Sequence, residues 1–211
     1  MNKLKPMYMS NDNLHRPVLI VIAGPNGSGK TSITSRILRH EWMEDAVYIN
    51  PDIIAQEKFG DWNSYDAVMQ SVKYCEALRE ECLLQRRSHI FETVLSAEDK
   101  VDYVIRARRA GFFIRLFFVC TADPTINASR IAGRVMEGGH DVPITKIISR
   151  YYKSLANGRI LSQVVDRAYF FDNSVDDRDA CLLFRLAGGK LVKRYVNEIP
   201  QWAKDIYSSI L

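Results

Sequence analysis

The sequence predicts a three-layer α/β sandwich, with a mostly parallel five-stranded sheet covered by helices on both faces and a C-terminal hairpin. Three observations carry this. Short apolar runs rich in β-branched residues alternate with segments of helical periodicity. A glycine-rich loop at 24–31 joins the first such run directly to the first helical segment. No repeat, low-complexity tract or linker divides the 211 residues, a length that suits one domain with a full core.

The elements follow in order. Residues 1–16 are polar and are read as an N-terminal arm before a single domain at 17–211. The run at 17–23 is a buried strand, because it lacks polar alternation. A helix at 30–40 and a short strand at 46–50 come next. Val68, Val72, Cys75, Leu78 and Cys82 recur at helical steps, so 64–87 is a helix that Asn63 can cap. Residues 88–92 form the third strand. Ser96 and Asp99 make a capping box that opens a helix closed by Gly111.

The fourth strand is 112–120. Asp123 and Pro124 suit the N-cap and first position of a helix running to about 137, before Gly138 and Gly139. Pro143 starts another helix, to about 156. The fifth strand is 168–172. Residues 181–186 and 191–196, separated by Gly188-Gly189, read as a hairpin, and 200–211 as an amphipathic helix.

Composition excludes several classes. The net charge of +4 is mild and scattered, which argues against duplex nucleic acid as a partner. No apolar run is long enough for a membrane span, and 1–16 has no signal-peptide stretch, so a cytoplasmic location is expected. Cys75, Cys82, Cys120 and Cys181 lack metal-ligand spacing and are read as reduced core residues. The four histidines show no zinc pattern either.

Gly24-Pro25-Asn26-Gly27-Ser28-Gly29-Lys30-Thr31 matches G-x-x-x-x-G-K-[ST] in full, and Ser32 follows. Backbone N–H groups must curl around a phosphate, and glycine permits that approach. The helix from Lys30 aims its positive end at the same anion. Lys30 reaches the β and γ oxygens, and the Thr31 hydroxyl suits Mg²⁺. No guanine-selecting Asn-Lys-x-Asp occurs. The third strand ends in one acid, Glu92, where a metal-orienting carboxylate belongs, a pattern that fits phosphoryl transfer better than hydrolysis.

The acceptor side draws on the carboxyl ends of the strands, where ligands bind in open α/β sheets. Asp52, after Asn50-Pro51, can take the proton of an attacking hydroxyl, or it can simply cap the following turn. Glu92, Thr93 and Ser96 offer an acid and two hydroxyls to a polyhydroxylated acceptor, although Ser96 equally serves as a helix cap. Arg130 and Arg134 share a helix face, and with Arg150 they flank Gly138-Gly139-His140-Asp141-Val142-Pro143. Guanidinium groups there can stabilise a transferring phosphoryl, and the glycine-hinged loop can close over it.

These segments, taken in order with Phe91-Glu92-Thr93, Arg150-Tyr151 and Asp172-Asn173-Ser174, resemble the short bacterial branch of the zeta-toxin family of P-loop kinases. The resemblance implies a kinase-type P-loop fold and ATP/Mg²⁺-dependent phosphorylation of a sugar nucleotide such as UDP-N-acetylglucosamine. It assigns Lys30 and Thr31 to phosphate and magnesium, Asp52 to the base and Glu92 to the substrate- or metal-side acid. Arg134 and Arg150 then bind phosphates, and Asn173 lies near the nucleotide base. It also brings an antitoxin or inhibitor protein into view as a partner. Where the family commonly has two threonines after the glutamate, this chain has Thr93 and Val94. Two alternatives stay open: a P-loop kinase of an antibiotic, a polynucleotide 5′-hydroxyl or another metabolite, or a nucleotide-binding interaction protein with slow ATPase activity.

Overall fold

The computed structural model describes residues 16–39, 46–60, 64–136 and 142–209. The chain runs β1 (Val18–Ala23), α1 (Lys30–Ile37), β2 (Val47–Ile49), α2 (Pro51–Phe59), α3 (Tyr65–Leu84), β3 (His89–Thr93) and α4 (Glu98–Arg109). It continues with β4 (Phe113–Cys120), α5 (Pro124–Met136), α6 (Ile144–Val164), β5 (Arg167–Asp172), β6 (Cys181–Ala187), β7 (Lys190–Arg194) and α7 (Gln201–Ser208).

One seven-stranded sheet results, ordered β2-β3-β1-β4-β5-β6-β7. The first five strands pair in parallel. The expected hairpin, β6 and β7, adds antiparallel to β5 and so extends the sheet. After β1 the chain builds β2 and β3 on one side, and then crosses to β4 on the other. The loop after β1 therefore opens where the strand order reverses, the position at which such sheets bind ligands.

The unbroken apolar run of β1 is explained by its place. Leu19, Val21 and Ala23 enter the larger core, with α4, α6 and α7 among its contributors. Ile20 and Ile22 enter a second core with Ile33 and Ile37 of α1, Ile90 and Val119. Both faces of the strand are dry, so alternation has no use there. Half of the aromatics of β4 and β5 are core: Phe117, Phe118 and Phe170 are buried, and Phe118 also meets Trp202 of α7.

Several local expectations are corrected. Residues 51–59 form a helix where the sequence suggests only a turn, and its cap is Asn50 rather than Asp52. The Asn50 side chain accepts from the Asp52 and Ile53 amides. Ser64 caps α3 by accepting from Ala67, while the expected cap Asn63 lies outside the described residues. The Ser96–Asp99 capping box does not form. Ala97 is the cap position of α4 and offers no side-chain bond. Cys75, Cys82 and Cys120 are buried as expected, but Cys181 opens the penultimate strand and is exposed. The arm beyond Arg16 also falls outside the described residues, whereas Arg16 itself donates to the Gly111 and Phe112 carbonyls.

Helix α6 continues to Val164, past residue 156, about which the sequence suggests its end. Gly158 packs on the sheet. A Cβ there would come within 2.6 Å of the buried Phe118 ring. Gly158→Ala should therefore lower the thermal midpoint. The gain in helix propensity, about 1 kcal/mol, is outweighed by overpacking, about 1–3 kcal/mol. Thermal unfolding followed by circular dichroism measures the difference.

Candidate active site

The loop after β1 is fixed from three sides. The Gly24 amide donates to the Thr93 carbonyl at the end of β3. Asn127 of α5, fully buried, donates its amide to the Asn26 carbonyl at 2.6 Å and takes the Thr121 hydroxyl on its oxygen. Asn173, just after β5, donates to the Ser28 carbonyl at 2.9 Å. Gly24 has φ of +148°, and a Cβ there would fall 1.9 Å from the Val119 carbonyl oxygen. No other residue fits. Helix α1 then begins at Lys30 with Gly29 as its cap and no capping side chain. Its first amide groups are left for an external acceptor, at the positive end of the helix.

Lys30 turns back on this loop. Its Nζ donates to the Gly24 and Pro25 carbonyls, each at 2.9 Å. Burial lowers its pKa to about 8, with the Glu92 carboxylate opposing the shift and the Arg134 guanidinium adding to it. Glu92 Oε1 receives two hydroxyl donors, Thr34 of α1 at 2.8 Å and Tyr48 of β2 at 2.6 Å. The Tyr48 oxygen in turn accepts from the Asn50 amide at 2.8 Å. Thr93 uses its hydroxyl locally, accepting from the Leu95 amide, where φ is +56°.

A cleft of about 630 Å³ runs between these groups. Asn26, Gly27, Gly29, Lys30 and Thr31 form its loop side. Asp52, Glu92 and Thr93 form the side made by the ends of β2 and β3, and Arg130 and Arg134 of α5 form a third wall. Anion-binding amides, a lysine, two carboxylates and two arginines thus share one space. That combination can hold a polyphosphate and deprotonate a hydroxyl beside it. Asn26 Oδ1 and Ser28 Oγ are buried in the loop with no protein partner.

Other sequence candidates stand elsewhere. Ser96 and Arg150 line an adjoining pocket of about 340 Å³ that meets the cleft along Pro51, Glu92, Thr93 and Val94. Arg130 is bound to Asp176 at 2.6 and 2.9 Å and reaches the Gly27 carbonyl, so its charge is already matched. Ser32 is exposed on α1 outside the cleft lining. His140 lies outside the described residues. Sequence reading missed Thr34, Tyr48, Asn127 and Asp176. None of them belongs to a local motif, because each acts on a residue distant in the chain.

The lowered Lys30 pKa predicts how anion binding responds to pH. Free protein loses the ammonium charge as pH rises through about 8, not near 10.5. Affinity for inorganic tripolyphosphate should fall between pH 7 and 9, and binding above pH 8 should take up a proton. Lys30→Gln should bind weakly and flatten the profile. Calorimetry in buffers of different ionisation heat reads both effects.

Comparison with known proteins bears on the family and the fold. The family described as zeta toxin matches residues 4–183. An uncharacterized protein of Haemophilus influenzae is 28% identical over 134 residues, covering 63% of this chain and 91% of that protein. Among solved structures, the AvrRxo1-ORF1:-ORF2 complex with ATP superposes with a TM-score of 0.63 at 18% identity, over 92% of this chain. This chain spans 63% of that matched chain. The PezAT chromosomal toxin-antitoxin system of Streptococcus pneumoniae superposes with a TM-score of 0.57 at 17% identity, over 92% of this chain and 84% of its own. At these identities the structures establish the shared fold. The family match extends across most of the sequence, and the chain belongs to the zeta-toxin family.

Proposed function

We propose that the protein is an ATP-dependent kinase that phosphorylates a hydroxyl of a small acceptor, with a sugar nucleotide such as UDP-N-acetylglucosamine as that acceptor. One observation carries the reading. The phosphate loop with Lys30, the carboxylates Asp52 and Glu92, and Arg134 all line a single cleft.

The donor set also fits Mg²⁺. Thr31 and Glu92 are hard oxygen donors in the same cleft, and Glu92 has Oε2 beyond the oxygen engaged by Thr34 and Tyr48. Thr31 and Glu92 would hold the ion, directly or through water, and the bound ion would neutralise charge on the phosphates.

The protein's own groups account for the rest. The loop amides and the helix end hold the β and γ phosphates, and Lys30 leaves its two carbonyls to follow them. Asp52 stands on the first turn of α2, within the cleft and exposed to an incoming hydroxyl. It accepts the hydroxyl proton as the oxygen bonds to the γ phosphorus, while the bond to the β–γ bridging oxygen breaks and ADP leaves. Arg134 offsets charge on the transferring group. The adjoining pocket with Ser96 and Arg150 extends the acceptor side. A protein inhibitor is a fitting partner, since the PezAT structure is described as a toxin-antitoxin system. No described helix is long and apolar enough to cross a membrane.

The test is incubation of purified protein with Mg-ATP and UDP-N-acetylglucosamine, read by mass spectrometry. The expected result is a gain of one phosphate on the sugar nucleotide. Asp52→Asn should reduce transfer by about 10²–10⁴-fold and leave ATP affinity within about twofold of wild type. Undiminished transfer by that variant removes Asp52 as the base. Bound ATP without a modified sugar nucleotide moves the search to another acceptor. Arg134→Ala should lower kcat more than it raises KM for ATP, the signature of an interaction made mainly in the transition state.

A further inference from the structure

We propose that Tyr48 is a positioning residue that links the Glu92 carboxylate to the start of the helix carrying Asp52, so that the two acids keep one mutual placement. The proposal rests on the kinase reading and adds a residue that does not itself line the cleft.

Four hydrogen bonds make the link, and each has a defined direction. Asn50 Nδ2 donates to Tyr48 Oη at 2.8 Å, and Tyr48 Oη lies 2.6 Å from Glu92 Oε1. The amide supplies its own proton, so the single phenolic proton goes to the carboxylate. At the other end of the Asn50 side chain, Oδ1 accepts from the Asp52 amide at 2.9 Å and the Ile53 amide at 3.4 Å. This fixes the amide plane from both ends.

Sheet register explains why these groups meet. Tyr48 lies opposite Ile90, and Glu92 is two residues further along β3 on the same face. That face packs against α1, the source of the second donor to Glu92 Oε1, Thr34 at 2.8 Å, whose one proton the Lys30 carbonyl at 3.1 Å shares. A buried phenol needs only one acceptor to be satisfied. This one stands between the two acids of the proposed chemistry, with neither of its bonds made to a group of the phosphate loop. With Oε1 held by two hydroxyls, Oε2 is aimed by them. Rotation of Glu92 would have to break both bonds, and a shift of α2 would pull on the same phenol. Such supporting bonds commonly tune metal affinity or activity by about tenfold to a hundredfold.

The experiment uses the full chain and a fluorescent ATP analogue, titrated first in EDTA and then with rising Mg²⁺, with the thermal midpoint measured in parallel. Tyr48→Phe keeps the ring and removes the proton. It should bind the analogue in EDTA within about twofold of wild type and need about tenfold more Mg²⁺ for half-maximal enhancement. Thr34→Val, which removes the other donor to the same oxygen, should move the Mg²⁺ response in the same direction. Asn50→Ser retains a capping oxygen and loses the amide donor, and it should give a smaller shift of the same sign. With UDP-N-acetylglucosamine as the probe acceptor, Tyr48→Phe should lower kcat without raising KM for ATP.

A Tyr48→Phe protein with a lower thermal midpoint but an unchanged Mg²⁺ response overturns the proposal, because the phenol would then only fill space. Wild-type protein that binds no analogue in either condition overturns the kinase reading and the proposal with it, before any variant is made. Wild type that binds nucleotide and leaves the sugar nucleotide unmodified removes only that acceptor, and the Mg²⁺ titration still decides the role of Tyr48.

Discussion

The approach of the Gly24 backbone to the Val119 carbonyl is the constraint on which the rest of the site depends. A side chain at Gly24 would occupy the space of that carbonyl oxygen. The loop can therefore leave β1 tightly against β4, bond its first amide to the end of β3, and still deliver Lys30 as the first residue of α1. Asn127 and Asn173 then hold two loop carbonyls from α5 and from the end of β5. The loop is braced from the end of β3, from α5 and from the end of β5. For the proposed phosphate binding, such a loop is preorganised, and little of its shape has to be created when a ligand arrives.

Electrostatic balance follows from that geometry. Burial alone would discourage a charge on Lys30, and Arg134 adds to the discouragement, whereas Glu92 and Asp52 oppose it. Arg130, which shares a helix face with Arg134, has its charge answered by Asp176. Two arginines one turn apart thus meet different surroundings. Arg134 works on the cleft, while Arg130 ties α5 to the segment after β5 and to the Gly27 carbonyl. Arg150, on α6, lines the adjoining pocket instead of the cleft that Arg130 and Arg134 share.

Much of the fold was legible because its signals are local. The apolar run of β1, the Asp123-Pro124 start of α5 and the Gly188-Gly189 turn each declare an element within a few residues. The errors also have local causes. Asn50-Pro51 reads as the end of a strand, yet asparagine at the cap and proline at the first position are equally a helix start, and α2 begins there. The helix from Pro143 is expected to end near 156, but it continues, and Gly158 leaves room there for Phe118. Ser96 has the spacing of a capping box, and the chain passes it one residue before the actual cap at Ala97.

The candidate site divides in the same way. By itself the sequence determined which residues are the candidates, namely the glycine-rich loop, Glu92 at a strand end, Asp52 just after one and the arginines of α5, because each belongs to a short local pattern. Only the tertiary structure decided what holds them. Thr34 and Tyr48 reach Glu92 across 58 and 44 residues, and Asp176 reaches Arg130 across 46. Those meetings depend on the order β2-β3-β1-β4-β5 and on the helices that the strands carry. A hydroxyl or carboxylate outside a motif looks like any other polar residue until the strand order sets its neighbour, because hydrogen bonds act over about 3 Å and chain distance carries no record of which groups will come that close.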